Sequence, residues 1–253
     1  YKAWNGSLGE SDIHYAFGGF IEKDGRIKYK KSNHEYNIRM GTVNYEAEEY
    51  ENKRLINLSK TNIFYSLKSI YPIWSSENDF DVNKFSYRYA PAPLKPGLSF
   101  NTELNSSYAL YSNDSSQALL NLSAGPELVL GNLDKTFFDF TRISIMPGIT
   151  FKDGSSPFKF DNNVDLKTIS FDFDQQIFGP LLLTSSFEYN IDKDSYNYGK
   201  SLSSQTALII HRRSYQFGLF YQPYQKAGGI TFKLNGFSFN GAGKQFNSQK
   251  LNQ

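Results

Sequence analysis

Cysteine is absent from the 253 residues, which excludes disulfide staples and thiolate metal sites. Long apolar runs are absent too. No window approaches the roughly 18 consecutive apolar residues that a spanning helix needs, and the mean hydropathy is negative. Charge of one sign is not in excess: 27 basic residues stand against 25 acidic ones, a formal net charge of +2. With no basic stripe carrying interleaved aromatics, nothing calls for a nucleic-acid partner. The three histidines, His14, His34 and His211, lie far apart and have no metal-ligand spacing. The serines of residues 201–204 come with no positioned base, and Gly154-Ser155-Ser156 is followed by no helix that could hold a phosphate. No catalytic residue, cofactor or metal is therefore assigned, and a non-enzymatic role is expected. The sequence begins in mid-pattern at Tyr1, so a targeting signal is expected upstream.

Aromatic residues, by contrast, are plentiful. They make up 17% of the chain, with 22 Phe and 18 Tyr, although only 39% is hydrophobic in total. A soluble β-sandwich draws its core mainly from Val, Ile and Leu. Many aromatics with modest hydrophobicity fit a transmembrane barrel, in which one face of each strand is apolar and Tyr, Phe and Trp gather at the two interfaces. Periodicity agrees. Across residues 166–239, Ile169, Phe171 and Phe173 alternate with Ser170, Asp172 and Asp174, while Phe187 and Tyr189 alternate with Glu188 and Asn190. Tyr215, Phe217, Leu219 and Tyr221 do the same with Gln216, Gly218 and Gln222. Period two places the two sets on opposite faces of a strand.

Similar alternation runs through the earlier residues. Lys23-Asp24-Gly25 reads as a hairpin turn between strands over 12–21 and 26–31. Further strands are expected over 35–45, 55–74, 85–89, 98–111, 116–130 and 137–151, with a solvated loop or polar strand ends at 46–54 and loops at 75–82 and 154–163. The prolines at 91, 93 and 96 exclude a central strand there. Gly179-Pro180 and residues 192–201 read as turns, and a phase change at Gly236 suggests a bulge in the last strand. The expected fold is all-β, an antiparallel outer-membrane β-barrel forming the carboxy-terminal part of a larger barrel, with about fourteen strands.

Several segments carry a family resemblance. Arg88-Tyr89-Ala90-Pro91-Ala92-Pro93, Phe137-Phe138-Asp139-Phe140-Thr141, Ser156-Pro157-Phe158-Lys159-Phe160-Asp161 with Val164-Asp165, Gln175-Gln176-Ile177-Phe178-Gly179-Pro180, Arg212-Arg213-Ser214-Tyr215 and Asn235-Gly236-Phe237-Ser238-Phe239 resemble the cyanobacterial branch of the lipopolysaccharide-assembly outer-membrane protein LptD. The likeness covers residues 83–246 well and 1–82 weakly, leaving 247–253 as a polar tail. It implies a non-enzymatic barrel in the outer membrane of a Gram-negative-type, cyanobacterial cell. Such a barrel receives lipopolysaccharide from periplasmic bridge proteins and releases it sideways through a seam. Its implied partners are lipopolysaccharide, outer-membrane lipids, the bridge proteins, a lipoprotein plug and, during assembly, the barrel insertase.

Under that resemblance residues 228–239 become the seam strand. Gly229, Phe232 and Leu234 fit part of the carboxy-terminal assembly signal of barrel proteins, with Phe237 and Phe239 completing the strand, although Ala227 stands where a polar residue is expected. The same spacing also fits a plain edge strand. Asp172, Asp174, Glu188 and Arg212 are expected to face a polar lumen, either as a solvated wall or as contacts to glycolipid head groups, with Arg212-Arg213 also suited to a hairpin anchor. A passive porin-like channel and a soluble β-sandwich binding module remain as alternatives.

Overall fold

The computed structural model describes residues 13–52, 54–75, 96–131, 135–161, 166–212, 214–224 and 226–235. These form one antiparallel sheet of eleven strands in sequential order. The strands are β1 (Ile13–Tyr29), β2 (Ser32–Glu48), β3 (Leu55–Ser75), β4 (Gly97–Tyr111), β5 (Ser116–Leu130), β6 (Thr141–Gly154), β7 (Lys167–Phe178), β8 (Leu181–Asn190), β9 (Ser201–His211), β10 (Tyr215–Gln222) and β11 (Ala227–Leu234). The only helical element among them is a single 3-10 turn, Lys159–Asp161. The all-β antiparallel class thus follows the period-two pattern directly. No second sheet covers either face among the described residues.

Several expected boundaries move: the strand expected at 137–151 runs Thr141–Gly154, and β2 extends to Glu48, into the stretch expected as a loop or polar strand ends at 46–54. The hairpin read at Lys23-Asp24-Gly25 is not there: Asp24 pairs with Asn37 and Gly25 with Tyr36 inside a continuous β1. The chain reverses instead at Lys30 and Lys31, with Lys30 in the left-handed region at φ 52. Cross-strand pairing of seventeen-residue strands outweighs the local turn preference of Asp-Gly. The expected strands 12–21 and 26–31 therefore merge into one. The strand expected at 85–89 and the bulge at Gly236 lie outside the described residues, as do Phe237 and Phe239. Eleven described strands stand where about fourteen were expected.

Register assigns every side chain to a face. On β4 and β5, Asn105 lies opposite Asn121, Glu103 opposite Ser123 and Asn101 opposite Gly125. Leu104 opposite Leu122 and Ser106 opposite Leu120 point the other way. Burial is inverted relative to a soluble sheet. Asn101, Gln117, Ser144, Thr150, Gln176 and Asn190 are buried on the polar face, whereas Ile63, Leu122, Ile145, Phe151, Leu208, Leu219 and Phe232 are exposed on the apolar face. From β3 to β11 the charged side chains on the apolar face of the described strands are Asp153 and Lys167, both at strand ends.

The sheet curls toward its polar face. Residues 155–161, between β6 and β7, reach β2 and form a bridge from Phe158 to Glu49. Four strand spacings separate β6 from β2, about 19 Å on a flat sheet, a gap that a short segment closes only over a concave surface. We call the end carrying this segment the loop end and the other the turn end. The turn end has the tight reversals at residues 30–31 and 179–180, together with the longer connections from β3 to β4 and from β5 to β6.

Closure is not reached within the described strands: β1 and β11 each pair on one side. Both run from the loop end to the turn end, so their direct pairing would be parallel. A wholly antiparallel barrel needs an odd number of further strands between them. Pairing is also interrupted in mid-sheet. Between Ser123–Gly148 and Glu127–Ser144 the β5–β6 pairing lapses while the register is kept, where Pro126 and Pro147 supply no N–H.

Candidate functional site: the polar inner face and the edge strand

At the loop end the inner face carries a small core. Ala47, Ala109, Tyr111 and Phe158 are buried together, and Ile13, Tyr45, Ile56, Leu58 and Phe160 pack around them. Phe158 is fully buried, its ring edge-on to Tyr45 and Tyr111 and stacked with Phe160. Polar bonds fix the segment around this ring. The Lys60 ammonium donates to both carboxylate oxygens of Asp161 at 2.8 and 2.7 Å. The Tyr111 and Ser156 hydroxyls donate to the same carboxylate. Gln117 accepts from the Ser156 N–H at 2.9 Å and donates to the Asp161 carbonyl at 3.1 Å. The Tyr50 N–H donates to the Pro157 carbonyl at 2.9 Å. Of the segment expected as a loop at 154–163, residues 155–161 are a chord fastened across the inner face. Its charge and aromatic content are visible in the sequence, but its partners on β2 to β5 are far away along the chain.

Farther along the inner face lies a charged ladder. Arg142 donates from Nε to Asp174 at 2.6 Å and from a terminal nitrogen to Glu127 at 3.4 Å. Asp172 shares this face, opposite Ser144 and Ser186, and Glu188 lies opposite Ser170, with the Ser203 hydroxyl donating to it at 3.4 Å. Asp172, Asp174 and Glu188 thus come to one face. Arg212 does not join them: β9 ends at His211, and Arg212 sits in the following turn, its N–H donating to the Tyr215 carbonyl at 2.9 Å. Arg142 and Glu127 were missed in the sequence because a lone charge in a polar phase has no signature until its neighbour strand is known.

The two ends of the inner face are stitched by buried amides. Gln176 is fully buried, donates to the Lys135 and Gly179 carbonyls and accepts from the Asp139 N–H. Asn190, likewise buried, accepts from the Asp192 N–H at 2.7 Å. Asp192 itself is held on the loop side. Burial works to raise its pKa, but the N–H groups of Asp194 and Leu166 and the Lys167 ammonium outweigh that, and the carboxyl lies below its ordinary range.

β11 forms the far edge. Gly229 lies on the inner face opposite Phe220, and Phe232 opposite Phe217 and Leu234 opposite Tyr215 lie on the outer face. His34 bonds to Ser69, and no trio of His, Cys, Asp or Glu among the described residues could hold a metal.

A family model matches residues 1–238, across all eleven strands, and its description is protein of unknown function (DUF3769). The chain belongs to that family. Membership in DUF3769 covers the first three strands as well as the later ones, so the whole sheet is one family unit. No curated protein and no solved structure matches the chain.

Proposed function

We propose that this DUF3769 chain is the wall of an outer-membrane β-barrel that exports lipopolysaccharide to the outer leaflet without catalysing a reaction. The observation that carries the membrane reading is the inverted sheet. Apolar side chains stand exposed on an outer face that from β3 to β11 carries charge only at the ends of the described strands, with Lys23, Glu46 and Glu48 on that face of β1 and β2, and amides and carboxylates line the inner face. A soluble monomer rarely exposes apolar patches beyond a few hundred Å², whereas a barrel wall in lipid requires them.

The outer face also has graded chemistry. Tyr108, Tyr189 and Tyr221 lie toward the loop end and Tyr29, Trp74 and Tyr215 toward the turn end, with Ile63, Leu104, Leu122, Leu208 and Leu219 between; Tyr36 and Tyr65 stand nearer the middle. Phe100 and Tyr108 on β4 are about 27 Å apart along the strand, about 19–22 Å in height at a tilt of about 35–45°, which lies within the apolar band about 25 Å tall of outer-membrane barrels. Strands of 8 to 21 residues bracket the roughly 9–11 needed to span.

The export reading rests on the resemblance of residues 83–246 to LptD and gains support from the chord of residues 155–161. A stopper at the loop end suits a conduit whose cargo leaves sideways better than an open porin. Phosphorylated or acidic head groups would travel along the inner face past Arg142, Asp172, Asp174 and Glu188. β11, with Gly229, Phe232 and Leu234, would border the exit, and Phe237 and Phe239 would continue it. The periplasmic bridge, a lipoprotein plug and the insertase are the partners this role requires.

The absence of native cysteine makes the test clean. Single cysteines at Phe171, Asp172, Phe217 and Gln216 are labelled in membranes with lipid-soluble and water-soluble thiol reagents. Labelling of 171 and 217 from lipid alone and of 172 and 216 from water alone is the expected result. Protection of all four would overturn the membrane reading. A photocrosslinker at Phe232 that captures no lipopolysaccharide in cells would overturn export while leaving the barrel wall intact.

A further inference from the structure

The outer face is not uniform. A groove of about 630 Å³ crosses β3 to β6. Its floor is a row of small or short side chains, Ser69, Thr102 and Ala124 in register with Pro147 beside them. One wall is the adjoining row Leu67, Leu104, Leu122 and Ile149, also in register. Tyr71 stands on the other side. The floor is low because its side chains are short, and it lies where the β5–β6 pairing lapses beside Pro126 and Pro147; there the strands pass so closely that a Cβ on Gly125 would lie 1.8 Å from the Ile145 carbonyl oxygen.

The leucine row has an end with a charge on it. Ile149 pairs with Lys167, the first residue of β7, and Lys167 with Ile191 completes the groove at the loop end. The row that lies in mid-strand on β3 thus arrives at a strand end on β7, which is the stagger of strands tilted against a barrel axis. Four strand spacings make about 19 Å. At the usual tilt of about 35–45° the groove descends about 11–14 Å from Lys167, nearly the depth of one leaflet of a hydrocarbon core about 30 Å thick.

Lys167 is about half exposed, its side chain 46% accessible. Its ammonium is 3.5 Å from Asp192, a buried carboxylate that also accepts from the Leu166 and Asp194 N–H groups. Two backbone N–H groups thus share that carboxylate with the ammonium, and the Lys167 side chain keeps about half its surface accessible.

Resting on the membrane reading above, we propose that this groove is a binding site for an anionic lipid of the loop-side leaflet. One acyl chain lies along Ser69, Thr102, Ala124 and Pro147, and the charged head group meets Lys167. Charge complementarity at the mouth, an apolar wall and a depth matched to one leaflet select this occupant.

The test uses the full chain in nanodiscs. Trp4 and Trp74 are replaced by Phe, and a single reporter is placed beside the groove with Phe100→Trp or away from it with Phe217→Trp. Phosphatidylglycerol with brominated chains is added in small proportion to phosphatidylcholine. The Phe100→Trp protein is expected to be quenched several-fold more strongly than the Phe217→Trp protein. Filling the floor with Thr102→Leu and Ala124→Leu is expected to remove the difference, and Lys167→Gln to reduce it to the level given by brominated phosphatidylcholine. Equal quenching at both reporters by both lipids would overturn the groove site while sustaining the lipid-facing wall. Protection of the Phe100→Trp reporter alone would overturn it in favour of a protein partner. Failure of any lipid to quench either reporter would sink the membrane reading itself.

Discussion

Lys60 and Asp161 are 101 residues apart in sequence and form a two-pronged ion pair at 2.7 and 2.8 Å, the ammonium side chain 14% and the carboxylate 18% exposed. This contact ties the segment after β6 to β3 across the concave face. It therefore helps to set the curvature of the sheet as well as the closure of its loop end.

Removing one partner of this pair leaves the other with a poorly solvated charge. Asp161→Ala, which also strips the Tyr111 and Ser156 hydroxyls of their acceptor, is expected to cost about 3 kcal/mol or more. Asp161→Asn, which keeps an acceptor oxygen, should cost less. Denaturant unfolding in detergent, followed by circular dichroism, gives both values. Equal stability of wild type and Asp161→Ala would show that the chord carries no load.

Phe158 is the apolar half of the same fastening. Phe158→Ala is expected to cost about 3–5 kcal/mol and to make residues 155–161 susceptible to protease while β7 to β11 stay protected. Limited proteolysis with mass analysis distinguishes this local release from global unfolding.

The two faces should differ in their tolerance of charge. Phe171→Arg on the outer face is expected to destabilise the protein in bilayers by about 2–4 kcal/mol. Asp172→Arg on the inner face, although it brings a like charge toward Arg142, is expected to cost less because that face is polar. The comparison is made by reversible folding into lipid vesicles, and equal penalties would argue that neither face meets lipid.

Asp192 provides a pH signature. Because its folded pKa is depressed, it stabilises the protein fully above the ordinary carboxylate range, near 3.9 for an unperturbed Asp, and loses that contribution as pH falls from there through the folded value. Asp192→Asn is expected to be less stable at neutral pH and to show a shallower loss in acid. Parallel acid-unfolding profiles for the two proteins would contradict this.

Gly131 occupies the left-handed region at φ 78, and a Cβ there would lie 1.5 Å from the Asp139 carbonyl oxygen. Gly131→Ala is expected to destabilise by more than about 1 kcal/mol, with a lowered thermal midpoint as the readout.

The strands were legible in the sequence wherever pairing and pattern agree. Residues 116–130 alternate so regularly that the expected strand and β5 coincide, and the Gly179-Pro180 turn falls between β7 and β8. Asp24-Gly25 misled because turn propensity is local and worth little against a long ladder. Asp172, Asp174 and Glu188 could be assigned to one face from phase alone. Arg142 needed the β6–β7 register before its carboxylate partner was visible.

The sequence by itself determined the antiparallel all-β class and which side chains share a face, because period-two alternation is a property of each strand alone. Tertiary structure alone decided that residues 155–161 cross the inner face, that Lys60 meets Asp161, and that a groove opens at Ala124 and Pro147. Each of these depends on the stagger between strands and the curl of the sheet, quantities that arise only when distant ladders are assembled.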